Sequence, residues 1–128
     1  MKLIKIALVA ILMALAPAAF AGDIKPYDQV ECSRLTAEGK PVLLDIHASW
    51  CPTCKQQKPI VDELMGQAAY KDVTTFLIDF DTAKALLKTY NVRTQSTLIA
   101  FKGSKEVGRS VGDTTRSGIE ELIKKALH

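Results

Sequence analysis

Cysteine is scarce in this chain of 128 residues: there are three, two of them in one stretch, SWCPTCK, at 49–55. That scarcity excludes a structural disulfide framework, which shows an even count at wider spacing. Histidine is scarcer, with two. A structural zinc site wants four ligands and a copper site a convergent histidine or methionine. Beyond the cysteine pair the chain offers only Cys32, His47 and the terminal His128, with no second C-x-x-C, so no metal is expected. A surplus of one charge is also missing. With Lys2 and Lys5 set aside as part of an N-terminal segment, 15 basic and 14 acidic side chains remain, a net charge of +1. Nothing in that balance argues for nucleic acid or an acidic membrane surface. Long hydrophobic runs are absent after residue 21, as are repeats, linkers and low-complexity stretches.

The N-terminal segment is the exception. Lys2 and Lys5 precede the apolar run IALVAILMALA, followed by Pro17 and AAFA. Ala19 and Ala21 place small residues at the two positions that a signal peptidase reads, which predicts export to the periplasm or beyond and cleavage after Ala21. The alternative is an uncleaved inner-membrane anchor, since the apolar stretch nearly reaches spanning length. With 48% hydrophobic and 24% charged residues overall, residues 22–128 are expected to form one globular domain. Export matters for the cysteines, because thiols outside the cytosol oxidise unless electrons are supplied.

Periodicity orders the rest. Residues 27–38 read as a helix with Tyr27, Val30 and Leu35 apolar and Gly39 as its stop. PVLLDIHA (41–48) has the apolar run of a strand buried on both faces. From Cys51 the pattern is helical, with Ile60, Val61, Leu64, Met65 and Ala68 on one face and Pro59 as an expected kink. VTTFLIDF (73–80) is a second buried strand, and Ala83, Leu86, Leu87 and Tyr90 mark a short helix. TLIAF (97–101), Gly103-Ser104 and EVGRSV (106–111) read as an antiparallel hairpin. Ile119, Leu122, Ile123, Ala126 and Leu127 close the chain with an amphipathic helix. Strands separated by helices predict parallel crossovers, and the hairpin adds an antiparallel edge. The result is an α/β fold, one mixed sheet with helices on both faces. Reactive groups in such sheets gather where a strand ends and a helix begins, and SWCPTC is at that junction.

There, Cys51 is expected in the first helical turn, its sulfur near free backbone N–H groups and the positive end of the helix dipole. Both lower a thiol pKa below its ordinary value of about 8.5. Cys54, one turn on, is expected to be more buried and to hold its proton longer. Cys51 then exchanges with a disulfide and Cys54 resolves the mixed disulfide. Pro52 fits the first helical position, where no N–H bond is lost. A purely structural bridge between these cysteines closes too short a loop to stabilise much.

These residues resemble the thioredoxin family over nearly all of 22–128. The resemblance is carried by VLLDIHASWCPTCKQQKPIVDEL, IDFD, YNVRTQSTLIAFKG and VGD, in that order. It implies a thioredoxin fold with a sheet of four to five strands, and thiol–disulfide exchange without a dissociable cofactor. Disulfide-containing protein substrates follow as partners, and compartment logic adds a membrane thiol-electron transporter; a monomer is expected. The Pro52-Thr53 dipeptide is similar to that of periplasmic reductases serving cytochrome c maturation, although the central insertion common in that group is missing. A reductase is therefore expected, with an oxidase or isomerase, or a metal- or client-holding module without turnover, as alternatives.

The resemblance also assigns roles. Asp45, six residues before Cys51, matches a buried carboxylate behind the second cysteine and would accept the proton of Cys54; an edge-exposed aspartate is the plain alternative. Leu77 stands where a neighbouring lysine is common. Trp50, Pro52, Thr53, Gln95 and Ser96 would meet the substrate. His47 shares a strand face with Asp45 and would stabilise the Cys51 thiolate when protonated, or simply pack. Ser96 replaces the cis-proline of the family. A cis bond before a residue other than proline costs about 3–4 kcal/mol, so a trans Gln95–Ser96 peptide is predicted. Cys32 lies away from the Tyr27, Val30 and Leu35 face, which predicts partial exposure. An inert thiol and intermolecular pairing both remain open for it.

Overall fold

Val, Leu, Ile and Thr run together in the middle of the chain, and the computed structural model, which describes residues 20–128, builds its sheet from them. The expected export signal at 1–21 lies outside the described residues except for Phe20 and Ala21. The elements are β1 (Asp23–Pro26), α1 (Gln29–Ala37), β2 (Pro41–His47), α2 (Pro52–Met65), a single 3-10 turn at Ala68–Tyr70, β3 (Thr74–Asp79), α3 (Lys84–Thr89), β4 (Thr97–Lys102), β5 (Lys105–Val111) and α4 (Arg116–Leu127).

One five-stranded sheet runs in the order β1-β3-β2-β4-β5. β1 and β2 are parallel to β3, whereas β4 is antiparallel to β2 and β5 to β4. The expectation of parallel strands on either side of a helix therefore fails at β4, which follows α3. The reason is reach. Six residues of α3 span about 9 Å, too little to return the chain along a strand of about 20 Å. The chain instead re-enters at the same end of the sheet, with Thr97 opposite Ile46.

β2 is central, and its side chains alternate between two cores. Leu43 joins Val61, Leu64 and Met65 of α2 and Ile119, Leu122, Ile123 and Ala126 of α4. Val42, Leu44 and Ile46 join Phe76 and Ile78 of β3, Ile99 of β4, Cys32 of α1 and Leu87 of α3. Each fully buried side chain of this size contributes about 1.5–3 kcal/mol. Alternation puts Asp45 on the Leu43 face, beneath α2.

Two sequence expectations need correction at the first helix. A short strand, β1, precedes it, too brief to announce itself by pattern. The helix also starts at Gln29, not residue 27, capped by Asp28, whose carboxylate accepts the Glu31 N–H at 2.8 Å. That phase turns Cys32 inward, 4% exposed, and leaves Val30 82% exposed. Tyr27 and Leu35 pack on the same cluster as Cys32, so the sulfur belongs to the buried face and is no surface thiol. α2 continues as one helix through Pro59.

Candidate active site

At the end of β2 the chain leaves the sheet through Ala48, Ser49 and Trp50, and Cys51 N–H turns back to the Ala48 carbonyl at 3.2 Å. Cys51 is the N-cap of α2, one residue ahead of its expected place. Its Sγ accepts the Cys54 N–H at 3.1 Å, and Pro52 follows as the first helical residue. The sulfur thus sits at a helix start, where an unpaired N–H and the helix dipole favour negative charge. Cys51 and Cys54 are joined as a disulfide, their Cα atoms 5.3 Å apart.

The burial of the pair is the reverse of the expectation. Cys51 is fully covered (0% exposed) and Cys54 slightly open (8%). Cys51, as the N-cap, is folded under the 48–51 turn and packs with Ala48 and Phe80. Cys54, a turn further on, borders a cavity of about 220 Å³ that opens beside Asp45, His47, Lys55, Lys58 and Leu77.

Asp45 is 8% exposed, which settles it as buried beneath α2. Burial raises its carboxyl to about 6, partly offset by the positive influence of His47 and Lys58 and reinforced by Asp62. Leu77 is its register partner on β3, so an apolar side chain occupies the place of a cation. Among the described residues no cation lies within ion-pair distance of Asp45. His47 lines the same cavity, which Cys54 borders and Cys51 does not. The histidine is therefore placed toward Asp45 and the second sulfur.

Trp50 is 54% exposed, so it is no core residue; its indole Nε1–H donates to Asp81 at 2.9 Å. At the start of α2, Pro52 is exposed and Thr53 half-buried, and Gln95 on the loop before β4 is half-buried too. All peptide bonds among the described residues are trans, as predicted for Gln95–Ser96. The chain makes this turn by placing Ser96 in the left-handed region, φ +60°. Ser96 N–H donates to the Ile46 carbonyl at 2.9 Å, a bond no proline can make. Its Oγ lies 3.1 Å from each sulfur.

Gln57 is a site residue that sequence reasoning missed. It is 1% exposed, and its side-chain amide donates to the carbonyls of Ser96 at 3.2 Å and Asp113 at 2.9 Å. The signal was present: Gln57 falls on the apolar stripe of α2, between Cys54 and Val61, where a polar residue needs a partner. Asp81 was missed as well, and no local pattern points to it. Among the described residues no three metal-ligating side chains converge.

Comparison with known proteins places these observations. The family model named Thioredoxin matches residues 28–125. Thioredoxin of Chlamydia trachomatis serovar D is 37% identical over 84 residues, covering 66% of this chain and 80% of that protein. Thioredoxin of Mycobacterium tuberculosis (strain H37Rv) is 35% identical over 92 residues, covering 72% and 78%. Among solved structures, Trxlp from Edwardsiella tarda superposes with a TM-score of 0.76 at 39% identity, covering 79% of this chain and 98% of that one.

Proposed function

The chain belongs to the thioredoxin family and is a thiol–disulfide oxidoreductase with a C-x-x-C pair; from that premise we propose that it works outside the cytosol as a reductase of disulfide-bearing proteins. The observation that carries the assignment of roles is the Cys51 sulfur at the N-terminus of α2, accepting the Cys54 N–H, with the buried Asp45 carboxyl behind Cys54.

Cys51 is the nucleophile. Its thiolate attacks one sulfur of a substrate disulfide; a bond forms between them, the substrate disulfide breaks, and the other substrate sulfur leaves as a thiolate. Cys54 then gives its proton to Asp45. A carboxyl titrating near 6 is matched to that task near neutral pH. The Cys54 thiolate attacks Cys51 Sγ, the mixed disulfide breaks, and the second substrate thiolate departs. Two electrons have passed to the substrate, and the pair is left oxidised as seen here. Because Cys51 is fully covered in that form, docking has to uncover it. Trp50, Pro52, Thr53 and Gln95 form the docking surface, with Ser96 buried beneath it against the sulfurs and Gln95 offering backbone groups to an extended substrate segment.

The exported location rests on Lys2, Lys5, the apolar run and the Ala19/Ala21 pattern. A membrane thiol-electron transporter would regenerate the pair, since reduced thiols there need a supply of electrons. The protein would act as a monomer, with the cysteine pair as its only redox group and no dissociable cofactor.

Insulin reduction with dithiothreitol tests turnover. Cys51→Ser abolishes it, and Cys54→Ser accumulates mixed disulfides on Cys51; an active Cys51→Ser protein refutes the assignment. The reduction potential of the pair against glutathione tests direction. A value near that of thioredoxin, about −270 mV, supports the reductase, and one near about −120 mV marks an oxidase.

A further inference from the structure

Thiol–disulfide exchange between Cys51, Cys54 and a substrate does not call for a hydroxyl, yet Ser96 Oγ lies 3.1 Å from Cys51 Sγ and 3.1 Å from Cys54 Sγ. A disulfide sulfur carries no proton, so in this oxidised form the hydroxyl is the donor. Ser96 is 3% exposed, and among the described residues the two sulfurs are the only hydrogen-bond partners of its side chain.

The backbone beneath it is over-determined. A residue with a Cβ is strained at φ +60°, and such a conformation persists only when its surroundings impose it. Three bonds do so. Ser96 N–H donates to Ile46 O at 2.9 Å, and Ser96 O accepts from Gly112 N–H at 3.0 Å and from Gln57 Nε2 at 3.2 Å. The last of these ties α2, which carries both sulfurs, directly to the turn that carries the hydroxyl. The same Gln57 amide also holds the Asp113 carbonyl at 2.9 Å, so one buried side chain sets the distance between helix and turn.

We propose that Ser96 is a further catalytic residue of the exchange reaction, beside Cys51, Cys54 and Asp45: its hydroxyl donates a hydrogen bond to whichever sulfur bears negative charge, with Gln57 as its positioning residue. This deepens the reading of Cys51 and Cys54 as the exchanging pair and rests on it. When an incoming thiolate attacks Cys51 Sγ, a bond forms to the attacker, the Cys51–Cys54 bond breaks, and the electron pair stays on Cys54. The hydroxyl, already 3.1 Å from that sulfur, stabilises the leaving thiolate until a proton reaches it. In the reduced protein the same O–H turns to Cys51 and joins the Cys54 N–H in holding the resting thiolate. Serine keeps its own proton throughout; only the hydrogen bond changes its acceptor. Hydrogen bonds to an ionised acceptor are roughly twice as strong as those to a neutral one. The hydroxyl therefore favours thiolate over thiol and over disulfide, which lowers the pH at which Cys51 ionises and speeds opening of the pair.

The charged and titratable groups of the cavity beside Cys54 are Asp45 and His47 from β2 and Lys55, Lys58 and Asp62 from α2, while Asp81 beyond β3 holds the indole of Trp50, the neighbour of Cys51. None is altered in the variants below, so they set a common background. Three substitutions in the full chain separate the hydroxyl from the backbone. Ser96→Gly removes the hydroxyl and relieves the left-handed strain, Ser96→Ala removes the hydroxyl and keeps the strain, and Ser96→Thr keeps the hydroxyl. The ionisation midpoint of Cys51 is read in the reduced proteins from the rate of iodoacetamide alkylation against pH.

The glycine and alanine variants are expected to ionise roughly one pH unit higher, with alkylation near neutral pH slowed about tenfold, and the threonine variant to follow the parent. A midpoint unchanged in both Ser96→Gly and Ser96→Ala overturns the proposal. So does a shift in alanine that glycine abolishes, since that pattern reports strain. If threonine does not fold at this φ, the glycine–alanine comparison decides alone. Gln57→Met, similar in length but without the amide, is expected to raise the midpoint with Ser96 in place, and no change there removes its positioning role. These outcomes are distinct from failure of the underlying reading, which shows instead as insulin turnover surviving in Cys51→Ser.

Discussion

Replacing Asp45 by asparagine should make the protein more stable and less active, and the size of the stability change should depend on pH. The carboxyl is nearly buried, 8% exposed, and burial lifts it from 3.8 to about 6. The folded state therefore holds a proton that the unfolded chain releases earlier. Stability falls as pH rises through that window: the contribution is fully favourable below the unfolded value and lost once pH passes the folded one. The gap converts to about 3 kcal/mol. Asparagine keeps the shape of the protonated acid and carries no charge at any pH. Urea unfolding of the oxidised proteins, followed by circular dichroism, should give similar stabilities at about pH 3.5. The variant should lead by ~3 kcal/mol at about pH 7.5, with the divergence between about 4 and 6. In parallel, insulin reduction should slow and mixed disulfides should accumulate, because the proton acceptor for Cys54 is gone. A stability difference that stays constant across this range would refute the account of Asp45 as a carboxyl held at a desolvation cost. Activity equal to the parent would remove it from the proton pathway.

Two other expectations are independent of that one. Cys32 is 4% exposed and belongs to the Phe76 cluster, away from the Ala48–Cys51–Cys54 cluster. Cys32→Ala should leave the rate of insulin reduction within about twofold while costing roughly 1 kcal/mol of stability, and in the oxidised parent no thiol should react with Ellman's reagent until urea is added; rapid labelling of the native protein sinks this. Gly103 and Gly112 both have positive φ, +60° and +72°, but a Cβ on Gly103 would stand 3.1 Å from Gly39 Cα whereas nothing lies within 4 Å at Gly112. Gly112→Ala should cost about 1 kcal/mol and Gly103→Ala about 2 or more, read as urea midpoints, and equal losses would show that the Gly39 contact is irrelevant.

The order of elements was legible because periodicity is local. β2, α2, β3, α3, the hairpin and α4 all occur within a few residues of their expected places, and the chemistry of SWCPTCK follows from two cysteines at a helix start. α1 shows the limit. Its presence was readable, but the helix runs Gln29–Ala37 instead of 27–38, with Tyr27 outside it, and the face turned inward is the one Cys32 and Leu35 share; Val30 and Cys32 stand 200° apart around the helix at 3.6 residues per turn. Two residues of uncertainty at a helix start are enough to misplace a whole face.

What the sequence by itself determined is the succession of helices and strands, the redox character of the cysteine pair, the burial of Asp45 in so apolar a strand, and the trans peptide before Ser96. Each depends on neighbours along the chain or on one residue's own stereochemistry. Only tertiary structure decided which sulfur is covered, that β4 reverses against β2, that Ser96 meets the cysteines, and that Gln57 meets Ser96. Those outcomes join positions about 40 residues apart in the chain, Ser96 to Cys54 and to Gln57. Contacts at that separation are fixed when two cores close on either side of β2, and no pattern of neighbours encodes them.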